Sequence, residues 1–192
     1  MAHSIDTDPS GTVLAIVGAA AEEAIASLEG LDGVESLSLR DTDPQLASRR
    51  IAACRTPWIV HDADPLEHVA AAWVELFEER ATLGTLEIEV DVALAHFRDD
   101  GALMPDYYVV LDPDGAEGTW RHWWCGALGH RAPRRVLPAA LPAGGSGEAM
   151  GAALRRLLTA LPTSRPWPDP GTWLPGLAFE IPDRVGLRDR PA

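Results

Sequence analysis

Residues 86–97 alternate. Leu86, Ile88, Val90, Val92, Leu94 and His96 take the even positions, and Glu87, Glu89, Asp91, Ala93, Ala95 and Phe97 the odd ones. A period of two is the mark of a half-buried strand, whose side chains point to opposite faces in turn. His96 falls on the apolar side and is expected to be a core histidine. Tyr107-Tyr108-Val109-Val110-Leu111 reads as a second strand, and Asp112-Pro113-Asp114-Gly115 as a turn with proline at its second position. Residues 119–128, with Trp120, Trp123 and Trp124, read as a third strand, and residues 134–137 as a fourth. The expectation is an antiparallel meander around which the rest of the chain is arranged.

The N-terminal part has a different rhythm. Residues 1–11 are polar and acidic and read as a disordered leader. Thr12–Val17 is a short apolar strand closed by Gly18, and residues 19–28 a helix with Glu22 and Glu23 near its positive end. Strand and helix then recur twice: residues 34–39 and 45–54, then 58–60 and 66–80. In the last helix Val69, Trp73, Leu76 and Phe77 share a face. Three strand–helix units predict parallel strands with helical crossovers. The fold class is therefore α/β, with mixed α+β character because the meander continues the same sheet. Residues 138–147 read as a loop, 148–161 as an amphipathic helix, and 162–192 as an irregular strap. The strap holds seven of the 16 prolines and is pinned by Trp167 and Trp173. Residues 12–192 are expected to form one domain.

Charge narrows the partners. Net charge is −13, and all 16 basic residues are arginine. The lack of lysine fits codon bias in a GC-rich genome. An acidic chain of this kind repels nucleic acid and anionic membrane, so neither is expected as a partner. No apolar run approaches the ~18 residues of a membrane span, and no signal peptide is evident, which points to a cytoplasmic location. Cys54 and Cys125 are too few for a disulfide scaffold and are expected to be reduced thiols.

Three clusters bear on chemistry. His61-Asp62-Ala63-Asp64 sits where a strand gives way to a helix, and ligands of open α/β sheets gather at the carboxyl ends of strands. Two carboxylates one residue apart can hold a divalent cation. This Asp-x-Asp after an apolar strand, with residues 47–54 before it, resembles the metal and nucleotide-sugar motif of GT-A glycosyltransferases over residues 12–83. The resemblance implies that Asp62 and Asp64 hold Mg²⁺ or Mn²⁺ on a diphosphate. The plainer reading is that Asp64-Pro65 caps the next helix while His61 and Asp62 are solvated. No family is recognised over the full length.

The second cluster is His122, Cys125 and His130. These are zinc-ligand types, yet on a strand His122 and Cys125 point to opposite faces, so a buried Cys125 and a surface His122 are expected. The third groups Trp120, Arg121, His122 and Trp124 with Arg131, Arg134 and Arg135. Indoles and guanidinium groups stack and are favoured at binding hot spots. Pairing of Arg131, Arg134 and Arg135 with Glu87, Glu89 and Asp91 across the sheet is the competing reading.

These features support a non-catalytic ligand- or protein-binding domain, its Arg/Trp-rich sheet surface receiving a small anionic ligand or an acidic protein segment. No cofactor is needed. The alternative is a metal-assisted enzyme acting on a nucleotide-sugar or phosphorylated substrate, with Mg or Mn at Asp62 and Asp64.

Overall fold

The five strands of the described residues all run parallel. The structure is a computed structural model and describes residues 9–99, 101–140, 147–162 and 167–177. In chain order the elements are β1 (Thr12–Val17), α1 (Ala21–Ala26), β2 (Val34–Leu37), α2 (Pro44–Ala53), β3 (Trp58–His61), α3 (Glu67–Phe77), α4 (Leu83–Arg98) and β4 (Tyr107–Leu111). A helical stretch follows: α5 (Gly118–Arg121), a π-helical segment (His122–Leu128) and α6 (Gly129–Arg131). Then come β5 (Val136–Ala139), α7 (Gly147–Ala160), a 3₁₀ turn (Pro170–Thr172) and α8 (Leu174–Leu177).

The strand order is β2-β3-β1-β4-β5. Successive residues of β1 face opposite sides, so two cores form. Leu14 and Ile16 pack under α1 and α7, together with Ala24, Ile25, Met150 and Leu154. Ala15 and Val17 face α3, α4 and the π-helical segment, where Trp73, Leu86, Val90, Trp123 and Leu128 are buried. Val13, Leu37 and Ile59 lie under α2 beside Ala47 and Ile51. The chain steps one way from β1 to β2, with α1 on one face, and steps the other way thereafter, with helices on the opposite face. One handedness of crossover requires this arrangement.

The antiparallel meander is not present. Residues 86–97 lie within α4, whose N-terminus is capped by Thr82 Oγ1 accepting from the Thr85 amide at 3.3 Å. The alternation has a helical cause. Leu86 and Val90 are one turn apart and face inward, while Ile88 and Val92 are one turn apart and face out. Two apolar stripes on opposite sides of one helix make every even position from 86 to 94 apolar. His96 is exposed rather than in the core.

Residues 119–128 are also helical, not a strand. Trp123 and Ala127, and Trp124 and Leu128, form inward pairs at a spacing of four. The wider π-helical turn lets the adjacent Trp123 and Trp124 both reach the core. A Cβ on Gly129 would lie only 3.0 Å from the Trp124 carbonyl oxygen, so glycine serves where this wide turn ends. The expected fourth strand is present as β5, but it pairs in parallel with β4.

Part of the leader, residues 1–8, and much of the tail, residues 163–166 and 178–192, lie outside the described residues. The described tail forms the 3₁₀ turn and α8 in place of an irregular strap. Trp73 Nε1 donates to the Leu177 carbonyl at 3.2 Å. A ladder of ring contacts runs Phe77, Trp73, Trp123, Trp124, Tyr108, Trp167, Trp173, with neighbouring centroids 4.4 to 6.3 Å apart. Among the described residues no helix is long and apolar enough to cross a membrane.

Candidate functional site at the carboxyl edge of the sheet

The strand order reverses between β1 and β4, so their carboxyl ends form the topological switch point of the sheet. β1 leaves toward α1 on one face; its neighbour β4 leaves toward α5 on the other. Exits that part in this way open the crevice in which doubly wound sheets hold ligands. Both exits pass through positive φ. Gly18 has φ 116°, and Asp112 has φ 45°. A Cβ on Gly18 would sit 2.7 Å from the Leu111 carbonyl oxygen, so glycine is needed for the two strand ends to approach.

The next strand, β3, delivers His61, Asp62 and Asp64 to the same edge, and the structure separates their roles. Asp62 is buried and fully engaged. Its Oδ1 accepts from the Leu39 amide at 2.5 Å and the Arg40 amide at 3.0 Å, and its Oδ2 accepts from Ser38 Oγ at 3.1 Å. It ties the end of β3 to the exit of β2, and it is not the solvated loop residue expected. Asp64 turns inward: its Oδ1 accepts from the Leu66 amide at 3.0 Å and from Tyr108 Oη at 3.0 Å. The first of these bonds closes an Asx turn just before α3; the N-cap residue of that helix is Leu66, with no side-chain cap, so Asp64 does not cap it as Asp64-Pro65 suggested. Asp64 Oδ2 is buried without a partner among the described residues. Burial raises its pKa to about 7, against the lowering effect of the Leu66 and Tyr108 hydrogen bonds.

His61 is also buried, contrary to expectation. It pairs in register with Ala15, which pairs in turn with Tyr108. Side chains in register share a face, so the small methyl of Ala15 lies between the imidazole and the phenol. Neither ring nitrogen of His61 makes a hydrogen bond of normal geometry. Burial lowers its pKa to about 4; the Asp62 charge and the Ala63 backbone pull weakly the other way. The Tyr108 hydroxyl is held well above its ordinary pKa by burial and by Asp64. His122 Nδ1 and Trp123 Nε1 are further buried polar atoms without partners among the described residues. Sequence reasoning passed over Tyr108 and missed the inward turn of Asp64, because both depend on register between β1, β3 and β4.

The arginine–tryptophan group does not come together. Trp120, Arg121 and His122 are half-buried and sit near the carboxyl edge, at the start of the helical stretch. Arg121 Nη2 lies 3.1 Å from Asp114 Oδ1. Trp124 is buried against Tyr108, with ring centroids 5.7 Å apart. Arg131, Arg134 and Arg135 lie at the other edge, just before β5. Arg135 donates to the Asp106 carbonyl at 3.3 Å and stacks over Trp167, 5.7 Å from its ring centre. The pairing of these arginines with Glu87, Glu89 and Asp91 across a sheet does not occur, since the acids are on α4.

Cys54 and Cys125 are unpaired, and burial raises the pKa of both thiols. No group of three or more His, Cys, Asp or Glu among the described residues is placed to hold a metal ion, so His122, Cys125 and His130 do not converge as a three-ligand site. Two open grooves lie among the described residues, neither lined by Trp120, Arg121 or His122. One, about 350 Å³, runs between α7 and the ends of β4 and β5, and one, about 670 Å³, lies by Trp58 and Arg155. Compared with known proteins, the chain matches no family model, no curated protein and no solved structure.

Proposed function

We propose that the chain is a non-catalytic binding domain that takes a small anionic ligand at the carboxyl edge of its sheet. The observation that carries this reading is the parting of the β1 and β4 exits beside Gly18 and Asp112. Arg121 supplies positive charge, and His122 and Trp120 supply polar and aromatic contact. The proposed site keeps Trp120, Arg121 and His122 and leaves out Arg131, Arg134 and Arg135, which sit at the opposite edge. The metal-assisted alternative has less support, because both oxygens of Asp62 are already taken up by Ser38, Leu39 and Arg40.

Thermal unfolding in a panel of inorganic phosphate, nucleotides and dicarboxylates tests the reading. A ligand that binds the native state raises Tm. The expected result is a rise that is lost in Arg121→Ala and kept in Arg134→Glu with Arg135→Glu. The opposite pattern would move the site to the amino edge, and no response to any of the anions would remove the reading.

A further inference from the structure

We propose that the outer face of α4 is a docking surface for a helical partner segment whose apolar side chains are flanked by lysine or arginine. Ile88 is 63% exposed and Val92 43%. They lie one turn apart on the side of α4 opposite the buried Leu86, Val90 and Ala93. Single apolar residues on a surface need no explanation, but a spaced pair at the crest of a helix is a different case. Isoleucine and valine are poorer helix formers than alanine, and here neither is buried in the core in return.

Charge identifies the occupant. Glu87 and Asp91 flank the apolar pair on one side and Glu89 on the other, and between Leu83 and Ala95 the helix carries no cation. None of these three carboxylates is in an ion pair among the described residues. The turn before α4 adds Glu78, which already holds Arg80, and Glu79. A second copy laid on this face would bring its own carboxylates against these, in a chain of net charge −13. A cationic amphipathic helix meets both requirements: its apolar residues one turn apart pack against Ile88 and Val92, and its flanking cations meet Glu87 and Asp91 on one side and Glu89 on the other. This surface is separate from the proposed carboxyl-edge site and stands without it.

The test uses the full chain and three labelled peptides, followed by fluorescence anisotropy. The first peptide has leucines one turn apart with lysines beside them. The second has the same composition with the leucines scrambled, and the third has glutamate for lysine. The first is expected to bind, the second about tenfold or more weaker, and the third not at all. Ile88→Ser with Val92→Ser should abolish binding of the first while leaving Tm unchanged, and Glu87→Gln with Asp91→Asn should weaken it. Equal binding of the first two peptides, or none of the first, overturns the proposal. So does a fall in Tm of the serine variant, which would mean that the chain's own residues cover the pair. A concentration-dependent dimer lost in that variant overturns it too, by making the occupant a second copy.

Discussion

Tyr108 donates its hydroxyl proton to Asp64 Oδ1 across 3.0 Å, joining the second residue of β4 to the loop after β3. The bond spans Ala15, the β1 residue that lies in register between Tyr108 and His61. Tyr108→Phe removes the donor while keeping the ring against Trp124 and Trp167. The expected cost is about 1–2 kcal/mol, because a buried carboxyl oxygen loses a partner. The Asp64 pKa should rise further, since that bond favours the carboxylate. Denaturant unfolding and carboxyl NMR titration measure the two effects.

Asp64 and His61 should give opposite slopes of stability against pH. The Asp64 pKa is raised to about 7 from an unfolded value near 3.8, so the stability it contributes at low pH is lost as pH rises through that window. The His61 pKa is lowered to about 4 from 6.5, so the stability it contributes above pH 6.5 is lost as pH falls toward 4. Between these limits the two largely cancel. Asp64→Asn should expose the histidine slope, with stability falling as acid is added. His61→Phe should expose the aspartate slope, with stability rising. Neither slope can exceed about 1.4 kcal/mol per pH unit, the limit for one proton. Urea midpoints across pH 4 to 7 would show both, and equal slopes in the two variants would contradict the assignment.

Asp62→Ala should be among the costlier single changes. It removes the acceptor of the Leu39 and Arg40 amides and of the Ser38 hydroxyl. Leaving the buried Leu39 amide unpaired and cutting the link between the ends of β2 and β3 should cost about 3 kcal/mol. Added Mn²⁺ should leave Tm unchanged in both the native chain and the variant. A rise with Mn²⁺ that depends on Asp62 would restore the metal reading.

Gly151→Ala sets two effects against each other. Alanine is favoured over glycine inside a helix by about 1 kcal/mol. A Cβ at Gly151 would, however, lie 2.6 Å from the Ser27 carbonyl oxygen, and a backbone atom cannot swing aside. The clash should prevail, pushing α7 away from α1 and lowering Tm. Gly84→Ala, where the nearest atom is the Thr82 hydroxyl at 3.8 Å, should instead be neutral or stabilising. Parallel melts of the two variants make the comparison.

Much of the fold could be read from the chain wherever local pattern and tertiary role agree. Thr12–Val17 is apolar and bounded by Gly18, and Asp43-Pro44 starts α2 with an aspartate cap on the Leu46 amide. α3 shows its buried stripe directly through Val69 and Trp73. α4 misleads because Ile88 and Val92 add an exposed outer apolar stripe opposite the buried one. The tryptophans of residues 120–124 look like strand formers, since aromatic residues favour strands, until the glycines and the spacing of four are given weight. Asp62 is conspicuous as half of an Asp-x-Asp, but its hydrogen-bond partners lie 22 to 24 positions earlier in the chain. No local window contains both ends of that link, and the same holds for the bond between Asp64 and Tyr108.

The aromatic ladder from Phe77 to Trp173 has an optical consequence. Its indoles are close enough to exchange excitation before they emit, so light absorbed near α3 can leave from the C-terminal tail. Trp167 joins that tail to the rest through Tyr108, at 6.3 Å, and through the Asp106 carbonyl, to which its Nε1 donates at 3.3 Å. Emission and circular dichroism of the whole protein therefore report whether the last helix is seated, with no label attached.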